Sequence, residues 1–477
     1  MTREYTPPKI SNELGRTAPE AAADRNYYSR GTSIPAIFEI DNVSISKLVE
    51  EFGTPLFVFS EHKLREKARL LQGVFKSRYP NTSFAWSYKT NYLNAICQIL
   101  HQEGWIAEVV SDFEYHKARK LGIAGKDIVF NGPYKSREIL KLALKEGALI
   151  QIDNWDELGI IEELVEGKKY PANVGIRIWL DAGIQPIWSK FGFALSNGEA
   201  GRAAERIVNN PNLKLHTLHT HIGTYILAPH AYSVATQKLL ALREQVYVEH
   251  NHLIECINLG GGFPSHSLLH GMFGSAEQLI PPIESYADAI TEVLNELPEK
   301  KRPLLRFETG RFLVDEAGYL LTNVAAVKGG SRYPANINSG LAASDLKEQL
   351  ILNEDAQMSS YIIDAGINIL YTGAWYQINV FPSRTIKSPP LPSRLYGPLC
   401  MAIDIVRQHV DLPPLKVNDT LVLYPVGAYN VSQSMQFITY RPTVVLIDEK
   451  GNPEIIRRRE VLEDVDGPER MPEHLTK

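Results

Sequence analysis

Lys89 closes the apolar run Phe84-Ala85-Trp86-Ser87-Tyr88 and stands just before Thr90 and Asn91. An amine held at the end of a buried run can condense with a carbonyl group, and the chemistry then turns on accommodating an electron pair. Three further signals accompany it: His221-Ile222-Gly223-Thr224, Gly260-Gly261-Gly262 and Glu308-Thr309-Gly310-Arg311. Successive glycines bring backbone N–H groups close to an anion because no Cβ intervenes; with Arg311 for charge and Thr224 for a hydroxyl they could hold a phosphate. Glu308 suits a protonated ring nitrogen, and His221 could stack on the flat face of such a ring. Each signal also has a plainer reading: Lys89 as a solvent-facing lysine, the glycines as a tight turn, Glu308 as a carboxylate paired with Arg311, and His221, beside His219 and His216, as a core or loop histidine.

The elements that must position these groups are legible as a repeat. Eight short runs rich in β-branched and aromatic residues occur at 84–88, 106–110, 127–130, 149–152, 174–179, 215–220, 256–259 and 304–308. Helical stretches such as 91–103, 136–145, 154–166 and 232–250 fall between them. Eight buried strands with helical crossovers describe a (β/α)8 TIM barrel, with a doubly wound sheet as the competing architecture. Barrel enzymes take their reactive groups from the C-terminal ends of the strands, and all four signals fall at such ends.

After Arg311 the pattern changes to strand-like runs at 319–327, 361–363, 420–424 and 442–447, the mark of a second, mainly antiparallel domain. The expected division is a flexible arm over 1–30, a barrel over 52–314, a β domain built from 31–51 and 315–460, and a flexible tail over 461–477. The stretch 329–355, with no strong strand pattern, reads as an insertion or lid.

Composition removes other classes. A net charge of −5, from 50 basic and 55 acidic residues, offers no cationic surface for nucleic acid. The first 25 residues lack an apolar signal region, and no apolar run nears the roughly 18 residues of a membrane span, so a cytoplasmic location without a membrane partner is expected. Cys97, Cys256 and Cys400 lie far apart and match no metal-ligand spacing, which fits a reducing compartment and implies no metal.

An ordered set of short motifs makes the sequence resemble a known family. Phe52-Gly53-Thr54-Pro55-Leu56, Ser87-Tyr88-Lys89-Thr90-Asn91, Ser111-Asp112-Phe113-Glu114, Lys190-Phe191-Gly192, His221-Ile222-Gly223-Thr224, Asn258-Leu259-Gly260-Gly261-Gly262-Phe263 and Glu308-Thr309-Gly310-Arg311 are followed by Asp364-Ala365-Gly366, Gly397-Pro398-Leu399-Cys400 with Asp404, and Gly427-Ala428-Tyr429. Together, from about 52 to 445, they resemble the fold-type III, pyridoxal 5'-phosphate-dependent decarboxylases, above all the diaminopimelate decarboxylase branch and then the ornithine and arginine decarboxylases. The resemblance implies an alanine racemase-like barrel followed by an antiparallel β-barrel or sandwich. It makes Lys89 the lysine that carries the cofactor, His221 the ring-stacking residue and Glu308 the partner of the pyridine nitrogen. It places Thr224, Gly260, Gly261, Gly262, Arg311 and Tyr429 around the phosphate, with Arg311 open to the substrate carboxylate as well. Cys400 becomes the proton donor, reaching the site of a neighbouring subunit in a homodimer with shared active sites.

Departures from the family pattern concern the substrate. Diaminopimelate decarboxylases usually carry Cys-Glu-Ser where this chain has Cys400-Met401-Ala402, and Arg-Pro where it has Tyr371-Thr372-Gly373-Ala374-Trp375-Tyr376. Loss of a bidentate guanidinium and its facing carboxylate removes recognition that a second zwitterionic end requires. The expectation is therefore an amino-acid decarboxylase acting on another basic or conjugated substrate, with Thr372, Tyr376, Met401 and Arg311 near it and Arg384 available for a carboxylate. A true meso-diaminopimelate decarboxylase making L-lysine is the alternative, and an amino-acid racemase a further one. A non-enzymatic relative would be expected to lose Lys89 or Cys400, and both are present.

Overall fold

The computed structural model describes residues 34–168, 170–329 and 358–476. The arm expected over 1–30, and all but the first residue of the 329–355 segment, lie outside the described residues. The chain divides into two compact units, the first built from Lys63–His266 and Ala276–Asp315. The second takes 34–62, Ser267–Ser275 and the chain from Glu316 onward. Strand β1 (Leu56–Ser60) belongs to the second unit.

In the first unit β2 (Thr82–Ser87), β3 (Ile106–Val109), β4 (Ile128–Phe130), β5 (Leu149–Ile152), β6 (Ala172–Trp179), β7 (Leu213–His219), β8 (Cys256–Asn258) and β9 (Leu304–Thr309) run parallel. β9 pairs with β2, so the sheet closes on itself as an eight-stranded barrel. The doubly wound alternative would have left two open edges. All eight strands read from the sequence are present, each within two residues of its expected start, because hydrophobic runs of this length recur at the βα period.

Local chemistry sets the helix ends. Helix α1 (Arg137–Glu146) starts where Ser136 Oγ accepts from Ile139 N–H and stops at Gly147, whose φ of 77° is left-handed. It buries Ile139, Leu140, Ala143 and Leu144, one face of a 3.6-residue period. Outside the strands Phe75, Phe84, Phe263 and Phe307 form an aromatic layer, with the Phe75 and Phe307 centroids 4.4 Å apart and Phe84 and Phe307 6.0 Å apart. Since neighbours on a strand face opposite ways, Phe84 and Phe307 turn Ser87 and Glu308 toward the barrel interior.

The second unit is a mainly antiparallel sheet. Its further strands are β10 (Gly318–Gly329), β11 (Ser359–Ile363), β12 (Asn379–Pro382), β13 (Leu391–Tyr396), β14 (Ile405–Leu412), β15 (Thr420–Tyr424), β16 (Thr443–Ile447) and β17 (Pro453–Arg457). The order is β14-β13-β11-β10-β1-β16-β17, and β15 joins β10 to β12. Leu56 and Val58 of β1 pack with Tyr319, Leu321, Val422, Val445 and Ile447 in one apolar core.

One boundary differs from the sequence expectation. The barrel boundary at 52 assigned the run 56–59 to the barrel, whereas β1 pairs antiparallel with β10 and parallel with β16. Its partners lie hundreds of residues away, beyond the reach of any local pattern. The tail over 461–477 holds a short helix, Leu462–Asp466, started by Asp464 accepting from Val461 N–H and pinned by Arg458 at 2.5 Å.

Candidate active site

Lys89 lies in the 3-10 turn Tyr88–Thr90 that follows β2. Its Nζ is 3.0 Å from Glu108 Oε1 and 2.9 Å from Oε2. Glu108, on β3, is fully buried and also accepts from Ser87 Oγ and from Asn131 Nδ2, the latter at 3.0 Å. A carboxylate stripped of water is tolerated where ammonium, hydroxyl and amide donors replace its hydration. The amine is thereby held at the end of its strand.

A second buried carboxylate, Glu308 near the end of β9, accepts from Asn258 Nδ2 at 2.7 Å and lies 3.2 Å from His219 Nε2. Burial works to raise its pKa, but the contact with His219, a hydrogen bond from Asn131 and the Lys89 ammonium together hold it well below the usual carboxylate range. Glu308 is therefore an anion. His221, just past β7, accepts Gly261 N–H at Nδ1, 3.0 Å away, and burial followed by the charges of Arg177 and Lys89 pushes its pKa well down. It is a neutral ring, with the Trp188 ring edge-on at 5.3 Å.

The glycine triplet binds these pieces together. Gly260 and Gly262 have φ of 65° and 105°, conformations that side chains rarely adopt. A Cβ on Gly261 would come 2.3 Å from the Glu308 carbonyl oxygen, and one on Gly262 2.5 Å from that of Gly223. Gly260 O accepts Glu308 N–H at 2.8 Å. Half-buried Thr224 follows Gly223 in the adjoining turn. Arg311 is buried with Nη1 3.0 Å from Asp315 Oδ2, which Ser265 Oγ also approaches, at 2.5 Å. A side-chain-free cradle beside a buried guanidinium, an anionic carboxylate and a positioned amine is the donor set that a phosphorylated pyridine aldehyde requires, so the residues fit pyridoxal phosphate. Among the described residues no cluster of acidic, histidine and cysteine side chains could hold a metal ion, and no helix is long and apolar enough to cross a membrane.

In the second unit Cys400 is exposed on the loop between β13 and β14. Asp404 ties that loop down: its Oδ2 accepts Leu399 N–H at 2.7 Å, its Oδ1 accepts Ile367 N–H at 2.9 Å, and burial raises its pKa. Tyr429 holds a left-handed φ of 66°, a strained backbone for a bulky residue. Thr372 donates both N–H and Oγ1–H to Asn430 Oδ1, at 3.0 and 2.9 Å. Tyr376 is buried, and Met401 is half-buried beside Cys400. Arg384 is taken by Asp419, with Nη2 2.8 and 3.0 Å from its two oxygens and Nε 3.1 Å from one of them.

Four residues of this arrangement escaped the sequence reading: Glu108, Asn131, Asn258 as a side chain, and His219 as more than a core histidine. The available signal was a polar side chain inside an otherwise apolar strand, as in Ile106-Ala107-Glu108-Val109. The Ser111-Asp112-Phe113-Glu114 motif proves to be a helix start. Ser111 Oγ accepts Glu114 N–H while Glu114 Oε2 accepts Val110 N–H.

Comparison with known proteins agrees with this geometry. Residues 62–315 match the family described as "Pyridoxal-dependent decarboxylase, pyridoxal binding domain". The chain is 27% identical over 446 residues to a protein of Bacillus subtilis named diaminopimelate decarboxylase, covering 90% of this chain and 94% of that one. It is 28% identical over 456 residues to the protein of that name from Methanocaldococcus jannaschii, covering 92% and 96%. The crystal structure of diaminopimelate decarboxylase from M. jannaschii is similar with a TM-score of 0.79 at 27% identity, covering 92% of this chain and 97% of that one. A match reaching over more than half of the chain decides the assignment: the protein belongs to the fold-type III pyridoxal-dependent decarboxylases, carboxy-lyases that work with pyridoxal 5'-phosphate.

Proposed function

We propose that the protein decarboxylates a diamino acid of the diaminopimelate class at its amino-bearing α-carbon. The observation that carries this reading is the pairing, at one barrel mouth, of an amine fixed by Glu108 with an anionic Glu308 held by His219 and Asn258. The names of the relatives, matched along nearly their whole length, favour the substrate class.

Lys89 would hold the cofactor's aldehyde, Glu308 its ring nitrogen, His221 its flat face, and Gly260 to Gly262, Thr224, Arg311 and Tyr429 its phosphate. Bound pyridoxal phosphate supplies an electron sink for the pair left behind when carbon dioxide departs. The chain's own residues do the rest. Glu308, kept anionic, favours a protonated ring nitrogen; Lys89 Nζ, steered by Glu108, takes and returns protons beside the α-carbon; Arg311 orients a carboxylate; Cys400 Sγ returns a proton to the α-carbon. A homodimer in which Cys400 serves the neighbouring subunit's site belongs to this reading, as does a cytoplasmic location.

A second reading keeps the reaction and changes the distal end of the substrate. It is supported by Thr372, whose two donors are both spent on Asn430, and by Met401 and Ala402, which offer no carboxylate. Arg384, half-exposed and paired with Asp419, would serve a carboxylate in this reading by exchanging that partner. The deciding experiment compares kcat/KM for carbon dioxide release from meso-diaminopimelate, from D and L lysine, ornithine and arginine, and from carboxylated conjugates. Efficient turnover of meso-diaminopimelate supports the first reading; preference for a substrate lacking the second zwitterionic centre supports the second. Inverted amino acid without carbon dioxide would overturn both.

A further inference from the structure

Glu308 sits in a crowded electrostatic setting. Lys89 after β2, Glu108 on β3, Arg177 on β6, His219 and His221 at the end of β7 and Cys256 on β8 all act on this part of the barrel interior. Asn258 Nδ2 is committed to Oε1. The second oxygen, Oε2, faces His219 Nε2 at 3.2 Å. His219 and Asn258 are in register on adjacent strands, so both partners come from rigid backbone.

His219 Nε2 is claimed twice, because Arg177 Nη1 also lies 3.2 Å away. One nitrogen cannot both accept from the guanidinium and donate to the carboxylate. If Nε2 carried the lone pair, it would face an anion, and the proton would sit on Nδ1, which is buried and has no hydrogen-bond partner among the described residues. A buried unpaired donor beside a lone pair set against a carboxylate costs more than an unpaired ring acceptor with a guanidinium N–H set against Nε2–H. The protonated Nε2 is thus the tautomer that fits, with Arg177 acting on Glu308 through charge.

We infer that His219 is a positioning residue for catalysis: its Nε2–H donates to Glu308 Oε2 and keeps that carboxylate anionic for the ring nitrogen it would partner. Burial pushes the His219 pKa down, which favours the neutral ring as the donor. The two oxygens of Glu308 are divided between an amide and an imidazole. The proposal rests on the reading that Glu308 faces the ring nitrogen, and its test separates the two.

The test compares His219→Leu, which deletes the donor, with His219→Gln, which keeps an N–H. Cofactor-free His219→Leu should show, near neutral pH, an additional infrared carbonyl band of a protonated carboxyl beside that of Glu114, seen in the difference spectrum against wild type and against His219→Gln, and abolished by adding Glu308→Gln. In the holoenzyme, kcat of His219→Leu should fall about tenfold for each unit of pH below the raised Glu308 pKa, a limb that wild type and His219→Gln lack. Equal spectra and equal pH profiles for the two variants would overturn the proposal. Should His219→Leu not fold, nitrogen NMR of histidine-labelled wild type decides, with His219 assigned by its loss in His219→Gln: a protonated Nε2 supports the inference and a protonated Nδ1 overturns it. A carboxyl band without the new pH limb supports the hold of His219 on Glu308 and overturns the placement of Glu308 at the ring.

Discussion

Lys89 and Glu108 meet through both carboxylate oxygens, at 3.0 and 2.9 Å, an ammonium on one strand end clasped by a fully buried anion on the next strand. The lysine side chain remains 43% exposed, so its partner, not its packing, decides where the amine points. Glu108→Gln keeps the volume and removes the charge. Loss of a hydrogen bond to a charged group is worth about 1.5–3 kcal/mol, so kcat/KM should fall roughly ten- to a hundredfold. Lys89→Ala should abolish turnover with the circular dichroism spectrum unchanged. Steady-state kinetics check both, and full activity in either variant contradicts the site.

Glu114 should make stability depend on pH. Burial, then the neighbouring Glu108, raise its pKa from 4.5 to about 7. Between those values the folded chain keeps a proton that the unfolded chain releases, so stability falls as pH rises through the window, by up to about 3 kcal/mol. Glu114→Gln removes the titration and keeps an acceptor for Val110 N–H. Its thermal midpoint should exceed that of wild type at about pH 8 and approach it at about pH 5; a constant difference across the range would refute the assignment.

Gly261→Ala would drive a methyl group to 2.3 Å from the Glu308 carbonyl oxygen. Backbone must move, and strain of about 1–3 kcal/mol is the usual cost of such overpacking. Cofactor titration followed by absorbance should show affinity weakened by about tenfold or more, with Glu308 displaced as well.

Asp404→Ala releases both backbone staples of the Cys400 loop. Turnover should drop toward that of Cys400→Ala while cofactor absorbance persists. Wild-type kcat in Asp404→Ala would remove Cys400 from the proposed chemistry.

Lys135 and Glu157 form a buried pair at 2.7 Å, and Lys135 also donates to the carbonyls of Gly132 and Gln151. Lys135→Met leaves the carboxylate without its cation, a change that typically costs about 3–5 kcal/mol. Denaturant unfolding should show that loss, and adding Glu157→Gln should recover part of it.

The barrel was legible because eight apolar runs alternate with helical stretches, and the strand-end positions of Lys89, His221, the glycines and Glu308 followed from that count. The residues that hold them were not, because Glu108, Asn131, Asn258 and His219 matter through neighbours on other strands, and one-dimensional spacing does not show who lies beside whom. Strands β12 to β14 were missed for a related reason: Pro392 interrupts one, and Arg407, Gln408, His409 and Asp411 give another a polar look. Arg384 has a partner that spacing does not show either, since Asp419 lies 2.8 Å from its guanidinium in the fold.

The pairing of β1 with β16 joins Leu56 to Thr443 and Ile447 to Ser60. During synthesis the earlier strand leaves the ribosome with one lateral edge that stays bare until nearly the whole polypeptide has been translated, whereas every strand of the barrel has its neighbours by residue 309. Vectorial folding therefore completes the two units in a set order, and truncation near the carboxyl terminus, upstream of Thr443, strands an apolar ribbon that nascent-chain chaperones must shield.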